Sequence, residues 1–263
     1  MCTIKEPKLA TLATNLEREY KIKTMGEEAL KIEEDAMKNK KVGGKSATDW
    51  LGEGTFYVHG LVYTMVRIAV NVTMTVQPFY LQNSLLFTSS DPSSPTPTEI
   101  ASVPLGSYIT SLIFSVYFQQ AMTRCLRNRM YPMLVAIVII VATSIPLIFL
   151  DTSGNARLLV YPCVAVQGVG LAIMLNTSTS LISDVIGSDA ESSAFVYGVY
   201  SLFDKFSNGI LLYYIVATYS DNDQALRYVI GIAPIICAVG AYLLTYIGQK
   251  YFSHKLAKIT GIK

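Results

Sequence analysis

The sequence predicts an all-α membrane protein with six transmembrane helices, and three observations predict it. Apolar residues make up 51% of the chain and charged residues only 15%, against about 25% charged in ordinary soluble domains. The charge is unevenly spread: residues 1–50 interleave Lys with Glu, and the chain beyond residue 55 is mostly apolar. Six apolar stretches are each long enough to cross the bilayer, since ~30 Å of hydrocarbon takes about 20 helical residues at ~1.5 Å each.

The stretches follow in order. The first covers 56–87 and carries Arg67, Asn71 and Gln77. The second covers 100–123. The third, 130–150, holds no charge, and neither does the fourth, 158–183. The fifth, 194–219, contains Asp204 and Lys205; the sixth covers 228–249. Turn-forming runs separate them. Residues 91–98 read Asp-Pro-Ser-Ser-Pro-Thr-Pro-Thr, which cannot continue a helix. Arg124, Arg127 and Arg129 mark a short basic loop, Asp151 to Asn155 a turn, and 184–193 and 220–223 polar breaks.

Lys and Arg in short loops set orientation. By alternation, one side holds the N-terminal segment, the Arg124–Arg129 loop, the 184–193 loop and a tail with Lys250, Lys255, Lys258 and Lys263; the other holds Arg157 and Arg227. The basic side is the cytoplasmic one, so both termini are expected inside. The organisation expected is a charged cytoplasmic segment over 1–49, disordered or helical, a six-helix domain over 50–250 and a basic tail over 251–263. The first 45 residues lack the apolar core of a cleavable signal, so the first span is expected to direct insertion.

Several function classes fall away. A net charge of +2 with interleaved acids indicates no nucleic-acid partner. Cys2, Cys125, Cys163 and Cys237 are scattered, which signals neither a disulfide framework nor a zinc site. His59 and His254 sit at span ends, no nucleophile–base arrangement is readable, and no cofactor motif is present. The triplets starting at Asn71 and Asn176 resemble glycosylation acceptors but fall inside spans, where no glycan is added.

Polarity divides the helices. The third and sixth spans are apolar all round and suit lipid. The first, fourth and fifth carry polar groups at membrane depth, where such groups need a protein interior or a hydrated cavity. Arg67, Asn71, Met74 and Pro78 share one helix face; Tyr197, Ser201, Asp204 and Asn208 share another. Arg67 and Asp204 each lie ~15 Å into their spans, so they can pair at mid-depth. A charge there costs about 2.5–3.5 kcal/mol even on the lenient insertion scale. Lys205, ~100° round the helix from Asp204, either competes for that carboxylate or serves another wall. The pathway candidates are therefore Arg67, Asn71, Gln77, Asn176, Asp204, Lys205 and Asn208. The competing reading makes Arg67–Asp204 a buried strut without solute contact and the hydroxyl run 176–180 a packing device.

Specific motifs begin at residue 184. Asp184-Val-Ile-Gly187, Ser193-Ala-Phe-Val-Tyr-Gly198, Phe203-Asp-Lys205 and Asn208-Gly209 closely resemble the cytoplasmic loop and eleventh helix of the major facilitator superfamily domain-containing protein 12 family, which is related to the glycoside–pentoside–hexuronide:cation symporters. Leu61-Val-Tyr63, Arg67 and Val70-Asn71 resemble that family's seventh helix. The resemblance implies that the six spans are helices seven to twelve, one half of a major facilitator fold built from two inverted three-helix repeats, with the solute site near the midplane. It implies secondary-active transport of a small polar solute, cysteine or another amino acid, in a lysosomal or other endomembrane, with a proton or cation as coupling ion. Six preceding helices would be missing, so a working assembly is expected to need a second six-helix half or a homodimer. The alternative is a non-transporting scaffold, a degenerate half that keeps only its helix packing.

Overall fold

The computed structural model describes residues 47–86, 98–119, 130–150, 156–186 and 190–260. The charged segment up to residue 46, the Pro/Ser-rich run, the basic loop with Cys125, the 151–155 turn and Gly187 lie outside these residues. All described residues fall in one compact unit, Ala47–Lys263, and all regular structure among them is helical. A short turn, α1 (Ala47–Leu51), precedes α2 (Gly54–Phe79), which runs on as a π-helical turn, Tyr80–Ser84. Then come α3 (Glu99–Ile113, extended by a π-helical turn Phe114–Phe118), α4 (Met130–Phe149), α5 (Ala156–Ile186), α6 (Ala190–Tyr219) and α7 (Asp223–Thr260). The last helix continues well past residue 249, into the segment read from sequence as a tail.

Among the described residues, four helices are long and apolar enough to cross a membrane: α3, α4, α5 and α7. Helices α2 and α6 have the length, at 26 and 30 residues, but carry Arg67, Asn71 and Gln77 on one and Asp204, Lys205 and Asn208 on the other. The ionic and amide side chains that mark them as candidates are the same ones that lower their apolarity.

Helix α2 is the hub. Val62, Val66 and Ala69 pack with Met133, Ala136 and Ile140 of α4, Leu171 and Met174 of α5, and Ala238 and Ala241 of α7. Val72 and Val76 meet Ile215 of α6 and Leu226 of α7. At the start of α2, Phe56 joins Trp50, Ile182, Ile186, Val196 and Tyr200 in an aromatic-rich cluster. There the Tyr200 hydroxyl donates to the Phe56 carbonyl at 2.6 Å. Helix α3 is the least covered: 11% of its membrane-length stretch is buried, against 44% for α5.

Lipid is as apolar as leucine, so helices in a bilayer associate by close packing and polar contacts rather than by hydrophobic drive. The contacts fit that rule. Gly168 of α5 sits against Ser107 and Ser111 of α3, Gly170 against Ile139 and Ile140 of α4, Gly231 of α7 against Ile148 of α4, Gly240 of α7 against Met65 of α2, and Gly60 of α2 against the Tyr200 ring of α6. The α3–α5 seam is also polar along its length: Ser102 meets the Tyr161 hydroxyl at 2.6 Å, Thr110 donates to the Ala165 carbonyl at 2.9 Å, and Asn176 donates to Ser115 at 3.0 Å.

A side chain at Gly168 collides with both Ser107 and Ser111, whereas one at Gly209 of α6 meets nothing within 4 Å. Gly168→Val is therefore expected to lower stability in detergent by about 1–3 kcal/mol, the usual cost of overpacking. Gly209→Ala is expected to leave it unchanged or slightly raised. Thermal unfolding of the two variants checks the contrast.

Candidate functional site

The candidate site lies where α2 and α6 face each other. Arg67 stands 13 residues into α2 and Asp204 14 residues into α6, or ~20 and ~21 Å from the helix starts. The two helices run parallel: the Tyr200 hydroxyl, in the third turn of α6, bonds the Phe56 carbonyl in the first turn of α2, and Arg67 meets Asp204 further along both. Their direct contact puts the two charges at one height.

They form an ion pair. Arg67 Nε donates to Asp204 Oδ2 at 3.1 Å, with the Asp204 side chain 5% exposed and that of Arg67 33%. Asn208, one turn on from Asp204, donates through Nδ2 to Asp204 Oδ1 at 2.6 Å and to the Asp204 carbonyl at 2.9 Å. Both carboxylate oxygens are thus held, one by a cation and one by an amide. The Asn208 Oδ1 is buried with no hydrogen-bond partner among the described residues.

Arg67 is held more loosely than its partner. Nε is its one hydrogen-bonded nitrogen among the described residues, so the two terminal nitrogens are uncommitted. Its guanidinium lies 6.0 Å from the centre of the Tyr63 ring, one turn back on the same face. Tyr63 in turn stacks on Tyr200 at 6.3 Å. A guanidinium presenting a free terminal fork over an aromatic ring suits bidentate recognition of a carboxylate or another planar anion. Sequence reasoning passed over Tyr63 as a partner for Arg67. Its spacing of four residues, which places both side chains on one helix face, is the signal that reveals it.

The other candidates separate. Lys205 is exposed and makes no ion pair among the described residues, and Asp204 pairs with Arg67 instead. Asn71 is half-buried on the Arg67 face. Gln77 is wholly buried, and neither amide atom has a hydrogen-bond partner among the described residues. Asn176 belongs to the α3–α5 seam, through Ser115. In the hydroxyl run beyond it, Thr177, Ser178, Thr179 and Ser180 all donate back to carbonyls of their own helix. Such back-bonding satisfies a hydroxyl without reaching a neighbour or a solute. No group of three or more His, Cys, Asp or Glu residues placed to hold a metal ion occurs among the described residues.

No protein-family model matches the chain. It is similar to the major facilitator superfamily domain-containing protein 12 of horse (Equus caballus), 33% identical over 162 residues. The mouse (Mus musculus) and human (Homo sapiens) proteins of that name are 33% identical over 161 residues and 32% over 162. Each alignment takes in 61% of this chain, which spans 31% of the length of these curated relatives. No solved structure matches.

Removing one member of a buried ion pair leaves an uncompensated charge, at about 3–5 kcal/mol. Because Arg67 is a third exposed, the expected loss lies at the low end, about 3 kcal/mol for Asp204→Ala. The double variant Arg67→Met/Asp204→Leu is expected to recover most of it. Unfolding of the single and double variants in detergent supplies the coupling energy.

Proposed function

We propose that this chain is a six-helix half of a secondary-active transporter, corresponding to the C-terminal half of its relatives. It moves a small polar solute, cysteine or another amino acid, across a lysosomal or other organelle membrane by alternating access. On this reading α2 and α6 also span the bilayer, both termini are cytoplasmic, and a second six-helix half or a second copy of the chain completes the path. The observation that carries the proposal is the Arg67–Asp204 pair: opposite charges on two helices, at one height, with the arginine's terminal nitrogens uncommitted. Ionisable groups at membrane depth are costly and mark solute or ion routes. The name shared by the similar proteins adds support, since it places them in the major facilitator superfamily.

The roles divide by geometry. Arg67 binds an anionic group of the solute through its terminal nitrogens while Nε keeps Asp204. Asp204 is the proton or cation site: taking up a proton or a cation weakens its hold on Arg67 and couples ion to solute. Asn208 fixes the carboxylate orientation. Asn71 and Gln77 supply hydrogen bonds to solute or water. Lys205, exposed on α6, adds positive charge toward whatever covers that helix.

One observation favours a second reading. Both oxygens of Asp204 are already occupied by protein donors, as a permanent strut would have them. A scaffold built this way needs the pair for assembly alone. Solute uptake into vesicles carrying the complete assembly, with radiolabelled cysteine as the first solute, separates the two. The transporter reading expects Asp204→Asn to retain folding and to lose the pH dependence of uptake, and Arg67→Lys to cut uptake at least tenfold. Unchanged uptake and pH response in both variants would leave the scaffold.

A further inference from the structure

The bundle is fastened at the end where α2 and α4 finish and α7 begins, and one side chain there joins all three helices. Arg227, in the second turn of α7, donates Nε to its own Asp223 at 2.9 Å and Nη2 to the Ser84 carbonyl at 2.8 Å, and Nη1 bonds the Leu150 carbonyl. Around it, Asn83 Nδ2 donates to the Ser220 carbonyl at 2.7 Å and Ser84 Oγ to the Asp223 carbonyl at 3.1 Å. The Tyr80 hydroxyl donates to the Leu147 carbonyl at 2.6 Å. The last carbonyls of a helix have no partner within it and carry its negative dipole end. A single guanidinium therefore caps the ends of α2 and α4 while anchored to a third helix.

The α2 end it caps is unusual. Tyr80–Ser84 is a π-helical turn, closed by the Leu85 amide on the Tyr80 carbonyl at 3.0 Å. The chain then leaves through Leu86 at φ 50°, the left-handed region that a side chain such as leucine's disfavours. Isolated π-turns recur at functional positions in helices, and an unfavourable backbone angle persists only where its surroundings impose it. Arg227 holds the Ser84 carbonyl, in the π-turn two residues before Leu86.

We propose that Arg227 is a latch. It holds the last turn of α2 wound as a π-turn against α4 and α7, and its release lets that turn relax and frees α2 to shift along its neighbours. Arg67 rides on α2, so Arg227 is a positioning residue for the ion pair. The link to solute movement rests on the transporter reading above; the latch itself does not.

Hydrogen–deuterium exchange on the full chain in lipid nanodiscs tests it, with Arg227→Ala and Arg227→Lys. Lysine keeps the charge but cannot reach two carbonyls and Asp223 together. Both variants are expected to speed exchange at least tenfold in residues 80–86 and 147–150, with residues 133–140 and 171–182 unchanged. No acceleration in either variant overturns the latch. So does equal acceleration throughout the bundle, which makes Arg227 a general stabiliser, and so does wild-type protection in Arg227→Lys, which makes its charge sufficient. Uptake measured alongside keeps the two claims apart: absent wild-type uptake with the expected exchange pattern defeats the transporter reading alone.

Discussion

A carboxylate sealed from solvent on a membrane-length helix has to find a positive partner on another helix, and the geometry of α2 and α6 follows from that need. Asp204 is 3% exposed and sits in the middle of α6. Sealed among side chains, it has no water ready to replace a lost partner, and a buried charge left unpaired costs about 3–5 kcal/mol. Helix α6 is therefore held to α2 at one height and one rotation. Asn208 and the Tyr63–Tyr200 stack flank the pair, and the Tyr200–Phe56 bond ties the first turn of α2 to the third turn of α6. The arginine is the less confined partner, and the proposed solute-binding role rests on that asymmetry.

The remaining interfaces are made differently. Glycines let backbones approach at the α2–α6, α2–α7, α3–α5, α4–α5 and α4–α7 contacts. Hydroxyls and amides bridge α3 and α5 without any charge. The apolar heart of the bundle, from Val66 to Met133, Met174 and Ala238, contains no ion at all. The Arg67–Asp204 ion pair lies on the α2–α6 face and the Arg227–Asp223 pair at the end where α2 and α4 finish. Helix α2 passes through both, and the proposed coupling of its last turn to Arg67 rests on that continuity.

Much of this was legible in the sequence. Long apolar runs announce helices because a chain in lipid has few other ways to pair its backbone groups, and each of α2 to α7 overlaps one such run. The Arg67–Asp204 meeting was readable from helix phase and depth, since charges buried away from water seek counter-ions. Other features left no such mark. Arg227 binds main-chain carbonyls, which every residue has, so only its spacing from Asp223 hinted at a role. The hydroxyls of Thr177 to Ser180 read equally well as wall or packing until their donors are seen turning back on α5. The burial of Gln77 and the bareness of α3 depend on which helices happen to be neighbours, and apolarity alone does not choose neighbours.

The transporter reading requires the ion pair to border water rather than lipid. Single cysteines placed at Asn71 and Ser201, in a chain whose four native cysteines are serine, report on it through a membrane-impermeant maleimide. Asn71 and Ser201 are half-buried on the helix faces that carry Arg67 and Asp204, and Val138, 66% exposed on α4, is the lipid control. Labelling of the first two in sealed vesicles, and none at Val138, is expected. Protection of both sites, or labelling of Val138 to the same extent, would contradict that reading.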